Sequence, residues 1–201
     1  MNENAAERNS EFPGFDSYKN ILYRLVYLKL EESFKFIGLS GEGLGPFQNI
    51  GLFVEKYKPS LPSTTDKDVG VGMYTNLIGD KFNYYFGQQV TSLETVPEGL
   101  TGIDTYTRNF CVMVFLANSM CELVGDDKGP GDAMQTAGEY IKNVWLPGHR
   151  DIAVTDERGE CGKVIRDGKI YHTGNFEVYS SEYAAGSAPA MCFYIPLKDK
   201  I

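Results

Sequence analysis

A single acidic residue in an apolar segment is the first candidate for chemistry. Glu177 lies between Phe176 and Val178 and is followed by Tyr179. If this segment is a strand, the Glu177 side chain points away from its two apolar neighbours and lies beside Tyr179. A carboxylate surrounded by rings would be poorly hydrated, so it could pair with an organic cation or serve as a general acid or base. The alternative is a strand glutamate that faces solvent.

Aromatic residues are frequent enough to line a binding site. The chain contains 13 Tyr, 12 Phe and 1 Trp. Rings stack on flat molecules and attract cations through the ring quadrupole, by about 0.5–2 kcal/mol for each contact. The candidates are Tyr74, Tyr84, Phe86 and Tyr106, although Tyr and Phe are also favoured in strands for packing alone. Trp145 is predicted to pack in the core at a helix end, with contact to a ligand as the less favoured alternative.

Two further candidates lie in the last apolar segment. Cys192 and Tyr194 share one face of a predicted strand, opposite Met191, Phe193 and Ile195. A nucleophilic thiolate needs a neighbouring base or cation, and the sequence nominates none. A buried, unreactive Cys192 is therefore the favoured interpretation.

Motifs for metals, nucleotides and cofactors are not found in the sequence. His149 and His172 have no partners at metal-ligand spacing and are predicted to lie in loops. Gly41, Gly43 and Gly45 lack the following Lys-Ser or Lys-Thr of a phosphate-binding loop, so they are predicted to link a strand to a helix. No zinc motif, Ser-His-Asp arrangement or axial haem ligand stands out. We predict neither a metal nor a cofactor.

Composition limits the classes of partner. The formal net charge is −8 and no basic stripe is present, which argues against direct binding of nucleic acid. No run approaches the roughly 18 apolar residues that span a bilayer, and residues 1–17 lack the apolar core of a signal peptide. The four cysteines show no Cys-x-x-Cys spacing, and Cys111 and Cys192 lie in apolar runs. No membrane association is predicted, and a reducing cytoplasm is the predicted compartment.

The elements that must position these residues follow an order that occurs twice. Residues 1–30 are predicted to be a partly disordered lead, although 21–30 form an apolar run that could be strand or helix. Strand, helix, strand, strand then follow in module one, 33–95, and in module two, 103–198. The predicted class is α+β, with two pseudo-twofold modules of antiparallel sheet and helix. The predicted strands include 68–75, 82–93, 104–117, 176–180 and 191–197, with a small hairpin around Asp167-Gly168. The second helix is predicted to be capped by Asp132 and to carry one apolar face, which consists of Met134, Ala137, Ile141, Val144 and Trp145.

Four short motifs sharpen this prediction. They are Tyr-Tyr-Phe-Gly at 84–87, a helix ending in Trp-Leu-Pro at 145–147, Phe-Glu-x-Tyr at 176–179 and Tyr-Ile-Pro-x-Lys at 194–198. In this order they resemble the GyrI-like family of AraC-type effector-binding domains, whose fold is also called SHS2/GyrI-like. The resemblance covers residues 33–198 and indicates a free-standing member without a DNA-binding domain.

The resemblance implies a cleft between the two halves that is lined by rings and contains an acid. Multidrug regulators of this family bind flat lipophilic cations there. For this chain it implies a small, planar, lipophilic and cationic organic ligand. The residues predicted to bind it are Glu177, Tyr179, Tyr194, Cys192, Tyr74, Tyr84, Phe86, Tyr106 and Trp145. Many family members have a carboxylate near the position of Cys192, and its absence here weakens the prediction of a cation.

Two alternatives remain open, because a fold does not by itself determine function. One is a hydrolase of cyclopropane-containing, DNA-alkylating compounds, in which Glu177 and Tyr194 form an acid–base pair that activates water. The other is a protein-interaction module of the gyrase-inhibitory type, which docks onto a macromolecule without a small ligand.

Overall fold

The computed structural model describes residues 13–19, 21–43, 49–61, 70–78, 81–105, 108–124, 131–153, 163–166, 169–172, 175–179 and 190–198. These residues form an antiparallel sheet of nine strands with few helices, beside a separate two-stranded hairpin. This arrangement agrees with the predicted α+β class. No helix within these ranges is long and apolar enough to cross a membrane.

Strands β4 and β10 lie side by side at the middle of the large sheet. In chain order the strands are β1 (Asp16–Tyr18), β2 (Ile21–Lys29), β3 (Lys35–Glu42), β4 (Gly70–Ile78), β5 (Lys81–Val90), β6 (Thr101–Asp104), β7 (Asn109–Leu116), β8 (Lys163–Arg166), β9 (Lys169–His172), β10 (Phe176–Tyr179) and β11 (Ala190–Pro196). The order across the large sheet is β1-β2-β7-β11-β10-β4-β5-β3-β6. Strands β8 and β9 pair as the small hairpin predicted around Asp167-Gly168, a turn that itself lies outside the described residues.

The described residues form three helices beside the sheet. Helix α1 begins with Ile50–Leu52 and continues through a π-helical turn, Phe53–Tyr57, and a 3-10 turn, Lys58–Ser60. Helix α2 spans Met120–Val124. Helix α3 begins with Asp132–Tyr140 and continues through a π-helical turn, Ile141–Trp145, and a 3-10 turn, Leu146–Gly148. Both 3-10 turns contain a proline, which has no N–H to continue an α-helix.

The buried face of α3 differs from the prediction at one position. Of the predicted face, Ala137, Ile141 and Trp145 are buried and Met134 is partly buried, but Val144 is 47% exposed. Residues 141–145 form a π-helical turn, which is wider than an α-helical one. The wider turn keeps Ile141 and Trp145 on the buried face and turns Val144 outward.

The start of α3 also differs from the prediction. Asp132 is the first helical residue, the capping position is Gly131, and no side chain caps the helix. A Cβ at Gly131 would lie 2.2 Å from the carbonyl oxygen of Glu122, so the close approach of α2 requires glycine here.

Strand β2 brings the N-terminal part of the chain into the sheet. The sequence predicts that residues 1–30 lie outside the domain, whereas the structure pairs β2 with β7 from Leu22 to Lys29. Ile21 and Leu22 are buried. The apolar run at 21–30 therefore forms a strand and not a helix. It does so because it pairs with β7, which lies far along the chain.

Backbone hydrogen bonds join residues that follow β2 to residues near the end of β6 and the start of β7. The Leu30 N–H donates to the carbonyl oxygen of Arg108 (2.8 Å), and the Thr105 N–H donates to that of Phe34 (2.9 Å). Leu30 therefore lies beside Arg108, and Phe34 lies beside Thr105. The strand predicted over 104–117 is observed as β7 over Asn109–Leu116, whereas Asp104 is the last residue of β6, which pairs with β3.

The folded sheet encloses one apolar cluster on its inner face and carries two on its outer face. The inner cluster contains Phe36, Phe110 and Tyr194, from strands at both ends of the sheet. On the outer face, α3 covers a cluster that includes Phe193 and Trp145. Helix α1 supplies one member of the smaller third cluster, which contains Phe53, Tyr84 and Phe86. The predicted site residues are therefore divided between an inner core and an outer face.

Candidate functional site

A buried carboxylate and a buried phenol meet on the outer face of the central strands. Glu177 of β10 is 5% exposed and Tyr84 of β5 is 2% exposed. The Tyr84 hydroxyl donates a hydrogen bond to Glu177 Oε2 at 2.9 Å. Because β4 lies between β10 and β5, the phenol reaches the carboxylate across a whole strand. We call these two side chains the acid–phenol pair.

Glycines on β4 make the acid–phenol pair possible. Gly72 lies opposite Glu177 on one side and opposite Phe86 on the other. A Cβ at Gly72 would lie 2.0 Å from the Tyr84 hydroxyl oxygen and 3.0 Å from Glu177 Oε2. A Cβ at Gly70 would lie 3.1 Å from Cζ of Phe86. Because Gly70 and Gly72 have no side chains, the rings of Tyr84 and Phe86 from β5 can lie over β4.

Helix α1 places a further ring beside this part of the sheet. The rings of Phe53 and Phe86 meet edge to face, with centroids 5.9 Å apart. Tyr57 and Leu61 pack against the same cluster. Edge-to-face pairs satisfy the ring quadrupoles and hold both rings in fixed orientations.

Tyr194 and Cys192 lie on the inner face, away from Glu177. In the register of β10 and β11, Glu177 is opposite Phe193, so the two neighbours of Phe193 point to the other side of the sheet. The Tyr194 ring stacks on Phe176 with centroids 4.9 Å apart and an angle of 10° between the rings. The acid–base pair of Glu177 and Tyr194 predicted for a hydrolase is therefore not formed. Among the described side chains, it is Tyr84 that places a phenol beside Glu177.

The buried cysteines are poor candidates for nucleophiles. Cys192 and Cys111 are fully buried in the apolar clusters. Burial raises the pKa of each thiol to about 12, because the thiolate would lose its hydration. Both thiols are therefore protonated at neutral pH.

Trp145 packs in the cluster between α3 and the sheet. Its ring stacks on His149, with centroids 4.4 Å apart and an angle of 4°. His149 Nδ1 lies 2.7 Å from the carbonyl oxygen of Trp145. The indole nitrogen is buried and has no hydrogen-bond partner among the described residues. The predicted core position of Trp145 is thus observed.

The remaining predicted site residues are placed only in part. The backbone of Tyr74 lies opposite Tyr84, and that of Tyr179 lies opposite Gly70. The side chains of Tyr74 and Tyr179, and the whole of Tyr106, lie outside the described part of the chain. Within that part, no group of three or more His, Cys, Asp and Glu side chains could hold a metal ion.

Gly70 and Gly72 were missed in the sequence although a signal is present. The segment from 70 to 73 alternates glycine with Val71 and Met73, which are both buried. In a strand this pattern leaves one face bare, which indicates the close approach of another group. The sequence does not show which ring fills the space.

No family model and no curated protein match the chain. Among solved structures, it is similar to an integron cassette protein from the mobile metagenome of Vibrio cholerae, with 14% identity, a TM-score of 0.51, and coverage of 90% of this chain and 100% of the other. It also matches SAV2435 bound to tetraphenylphosphonium, at 15% identity and a TM-score of 0.46 over 88% of this chain and 93% of the other. The match to the EcmrR C-terminal domain has 12% identity and a TM-score of 0.47 over 89% and 99%. The first similarity supports a shared fold. The other two TM-scores are too low to support an argument about this chain.

Proposed function

We propose that this protein binds a small, planar, lipophilic organic cation on the outer face of its sheet. Glu177 supplies the negative charge, and the rings of Tyr84, Phe86 and Phe53 supply contact surface. The observation that carries the proposal is the buried acid–phenol pair over Gly72.

The physical reason is the cost of burying a carboxylate. An ionised carboxyl group that leaves water loses several kcal/mol unless hydrogen bonds and an opposite charge replace its hydration. Tyr84 donates a hydrogen bond to Glu177. A delocalised organic cation placed against this pair would bring an opposite charge with a small desolvation cost of its own, and its flat apolar body would contact the ring faces.

The strand order supports assignment of the chain to the duplicated SHS2/GyrI-like effector-binding architecture. The first half contributes the neighbours β3-β5-β4 and the second half β7-β11-β10, so the order inverts about the contact between β4 and β10. The edge strands follow the same rule, since β2 pairs with β7 and β6 pairs with β3. In this proposal Tyr74 of β4 and Tyr179 of β10 remain candidate ligand-binding residues, whereas Cys192, Tyr194 and Trp145 belong to the core.

Binding of rhodamine 6G, a planar lipophilic cation, followed by fluorescence anisotropy tests the proposal. We expect saturable binding that falls about thirtyfold in Glu177→Gln, which corresponds to roughly 2 kcal/mol for a buried charge contact. The amide keeps an acceptor for Tyr84 and removes only the charge. Glu98→Gln, at an exposed loop position, makes the same change in net charge and should leave the affinity unchanged. Equal affinity of the native protein and Glu177→Gln would rule out the proposed role of Glu177.

The same pair allows a second candidate function, a hydrolase of strained cyclopropane rings. A carboxylate 2.9 Å from a phenol oxygen has the geometry of an acid–base pair, with Tyr84 in the place predicted for Tyr194. Incubation of a cyclopropane-containing alkylating compound, with ring-opened product measured by mass spectrometry, tests this function. Product formed by the native protein and lost in both Glu177→Gln and Tyr84→Phe would favour catalysis. Binding without turnover would favour the first proposal.

A further inference from the structure

A groove of about 620 Å³ lies where several segments of the chain meet at one end of the large sheet. The end of β2 and the start of β7 line it, together with residues that follow β11 and α3. None of the described lining residues belongs to the acid–phenol pair or to the ring cluster around Phe53 and Phe86. The groove is therefore separate from the candidate site on the central strands.

Backbone hydrogen bonds fix the segments that line the groove. β2 pairs with β7 as far as Lys29, which lies opposite Asn109. The Leu197 N–H donates to the carbonyl oxygen of Asn109 (2.9 Å), and the Lys198 N–H donates to that of Ile152 (2.7 Å). The fold thus determines which side chains meet at the groove.

Three of these side chains are cationic. Lys29, Arg108 and Lys198 line the groove, come from three different segments and are exposed. None of the described lining residues is acidic, although the chain has a net charge of −8. The groove is therefore a positive region on an acidic protein, and such a region attracts anions.

Two of the cations are held in place by neutral groups. Arg108 Nη1 donates to the carbonyl oxygen of Glu31 (3.1 Å), and Lys198 Nζ donates to those of Arg150 (3.0 Å) and Asp151 (3.2 Å). Carbonyl oxygens orient these side chains without neutralising their charge. A guanidinium carries five N–H donors and an ammonium three, so both side chains keep donors for a ligand.

The ion pairs within the described ranges do not involve the groove. They join Lys19 to Glu139 and Lys35 to Glu32. Lys29 makes no side-chain hydrogen bond to any other described residue, so its ammonium group can reach a ligand without breaking a contact of the fold.

Apolar surface lies beside the three cations. Tyr27, Ile152 and Leu197 also line the groove. Tyr27 is 58% exposed, and the other two are half-buried. The volume of the groove falls within the range of about 300–1,000 Å³ that is usual for small-molecule sites. A small inorganic anion would leave the apolar surface uncovered, whereas a molecule with both an anionic group and an apolar body would match both parts.

We propose that this groove binds a small amphipathic organic anion, such as an aromatic carboxylate, sulfonate or phosphate ester. Its anionic group lies among the three cations, and its apolar body packs against Tyr27, Ile152 and Leu197. The site differs in position and in charge preference from the one proposed around Glu177, so each proposal can fail without the other.

Fluorescence titration of the full chain with 8-anilinonaphthalene-1-sulfonate, an apolar anion that emits more strongly out of water, tests the charge requirement. N-phenyl-1-naphthylamine has the same rings without the sulfonate and is the matched neutral probe. We expect saturable binding of the sulfonate that weakens with added salt, because screening reduces attraction between exposed charges. The neutral probe should bind at least about tenfold more weakly, because it has no charge for the three cations to attract. This comparison uses the native protein and needs no variant.

Two charge reversals locate the site on the chain. Lys29→Glu replaces an attraction for the sulfonate with a repulsion, so we expect it to weaken binding of the sulfonate about tenfold. Lys142→Glu, at an exposed position of α3 outside the groove, changes the net charge equally and should leave the affinity unchanged. Circular dichroism checks that both variants fold.

Several results would overturn the proposal. They are the absence of saturable binding up to millimolar sulfonate, equal affinity for the two probes, and equal affinities of Lys29→Glu and Lys142→Glu for the sulfonate. Cosedimentation with phosphatidylglycerol vesicles that Lys29→Glu abolishes, in a protein that does not bind the free sulfonate, would assign the cations to an anionic membrane surface and would also overturn it.

Discussion

Gly72→Ala is the sharpest perturbation of the candidate site. The new Cβ would lie 2.0 Å from the Tyr84 hydroxyl oxygen, where ordinary contact begins at 3.4 Å. The phenol must therefore move by more than an ångström, which breaks its bond to Glu177. Overpacking of a well-packed region costs about 1–3 kcal/mol, and loss of a hydrogen bond to a buried charged group costs about 1.5–3 kcal/mol. We expect the free energy of unfolding to fall by about 3–5 kcal/mol.

Urea unfolding followed by circular dichroism measures this loss, and a second substitution isolates its cause. Tyr84→Phe removes the atom that the new Cβ meets first, together with the hydrogen bond. Gly72→Ala should therefore cost at least about 1.5 kcal/mol less in the Tyr84→Phe background than in the native protein. Gly138→Ala is the matched control, because Gly138 is an exposed position of α3 with open space around it. The control should stabilise the protein by about 0.8–1 kcal/mol through helix propensity.

Two results would refute this reasoning. One is a cost below about 1 kcal/mol for Gly72→Ala, which would mean that the ring moves freely. The other is the same cost in both backgrounds, which would mean that the acid–phenol pair is not what the new methyl group disturbs.

Three further predictions concern the inner core and the thiols. Phe176→Ala should lower the free energy of unfolding by about 3–5 kcal/mol in the same assay, because its ring stacks on Tyr194 inside the curled sheet; a loss near 1 kcal/mol would show that the inner cluster is loosely packed. In the native protein Cys121, which is exposed, should react with a disulfide reagent at pH 8, while Cys111 and Cys192 should react only after unfolding; mass spectrometry of the labelled peptides distinguishes the sites. The pKa of both buried thiols is raised from 9.0 to about 12, so the folded protein retains protons that the unfolded chain releases. The contribution of the two thiols to the free energy of unfolding should be fully present below pH 9 and should be lost as the pH rises from 9 towards 12. In a variant with both cysteines replaced by alanine, the free energy of unfolding should therefore fall less steeply over this range. Equal slopes for the two proteins would contradict the raised pKa values.

Much of the secondary structure could be predicted from local pattern. Alternation of apolar residues with Glu177 identified β10, a continuous apolar run identified β11, and helical spacing with proline stops identified α1 and α3. The same alternation placed Glu177 on the face opposite to Phe176, and the structure confirms this. These features follow from the periods of strand and helix, which depend on neighbouring residues alone.

The composition of the candidate site could not be predicted in this way. The sequence grouped Tyr194 and Cys192 with Glu177, but the register between β10 and β11 places them on opposite faces. In the sequence, Tyr84 is one of several candidate rings. The pairing of β5 with β4, which places the Tyr84 phenol over Gly72, distinguishes it from the others. Strand partners depend on packing between distant segments of the chain, so a local sequence pattern does not identify them.

By itself, then, the sequence determined the periods of the elements, the α+β class, and the two faces on which each strand displays its side chains. Only the tertiary structure decided which strands are neighbours, that β2 and β6 join the sheet near its two ends, and which phenol meets Glu177. The physical reason is that side-chain direction is a property of a single strand, whereas register and sheet order minimise the free energy of the whole chain at once.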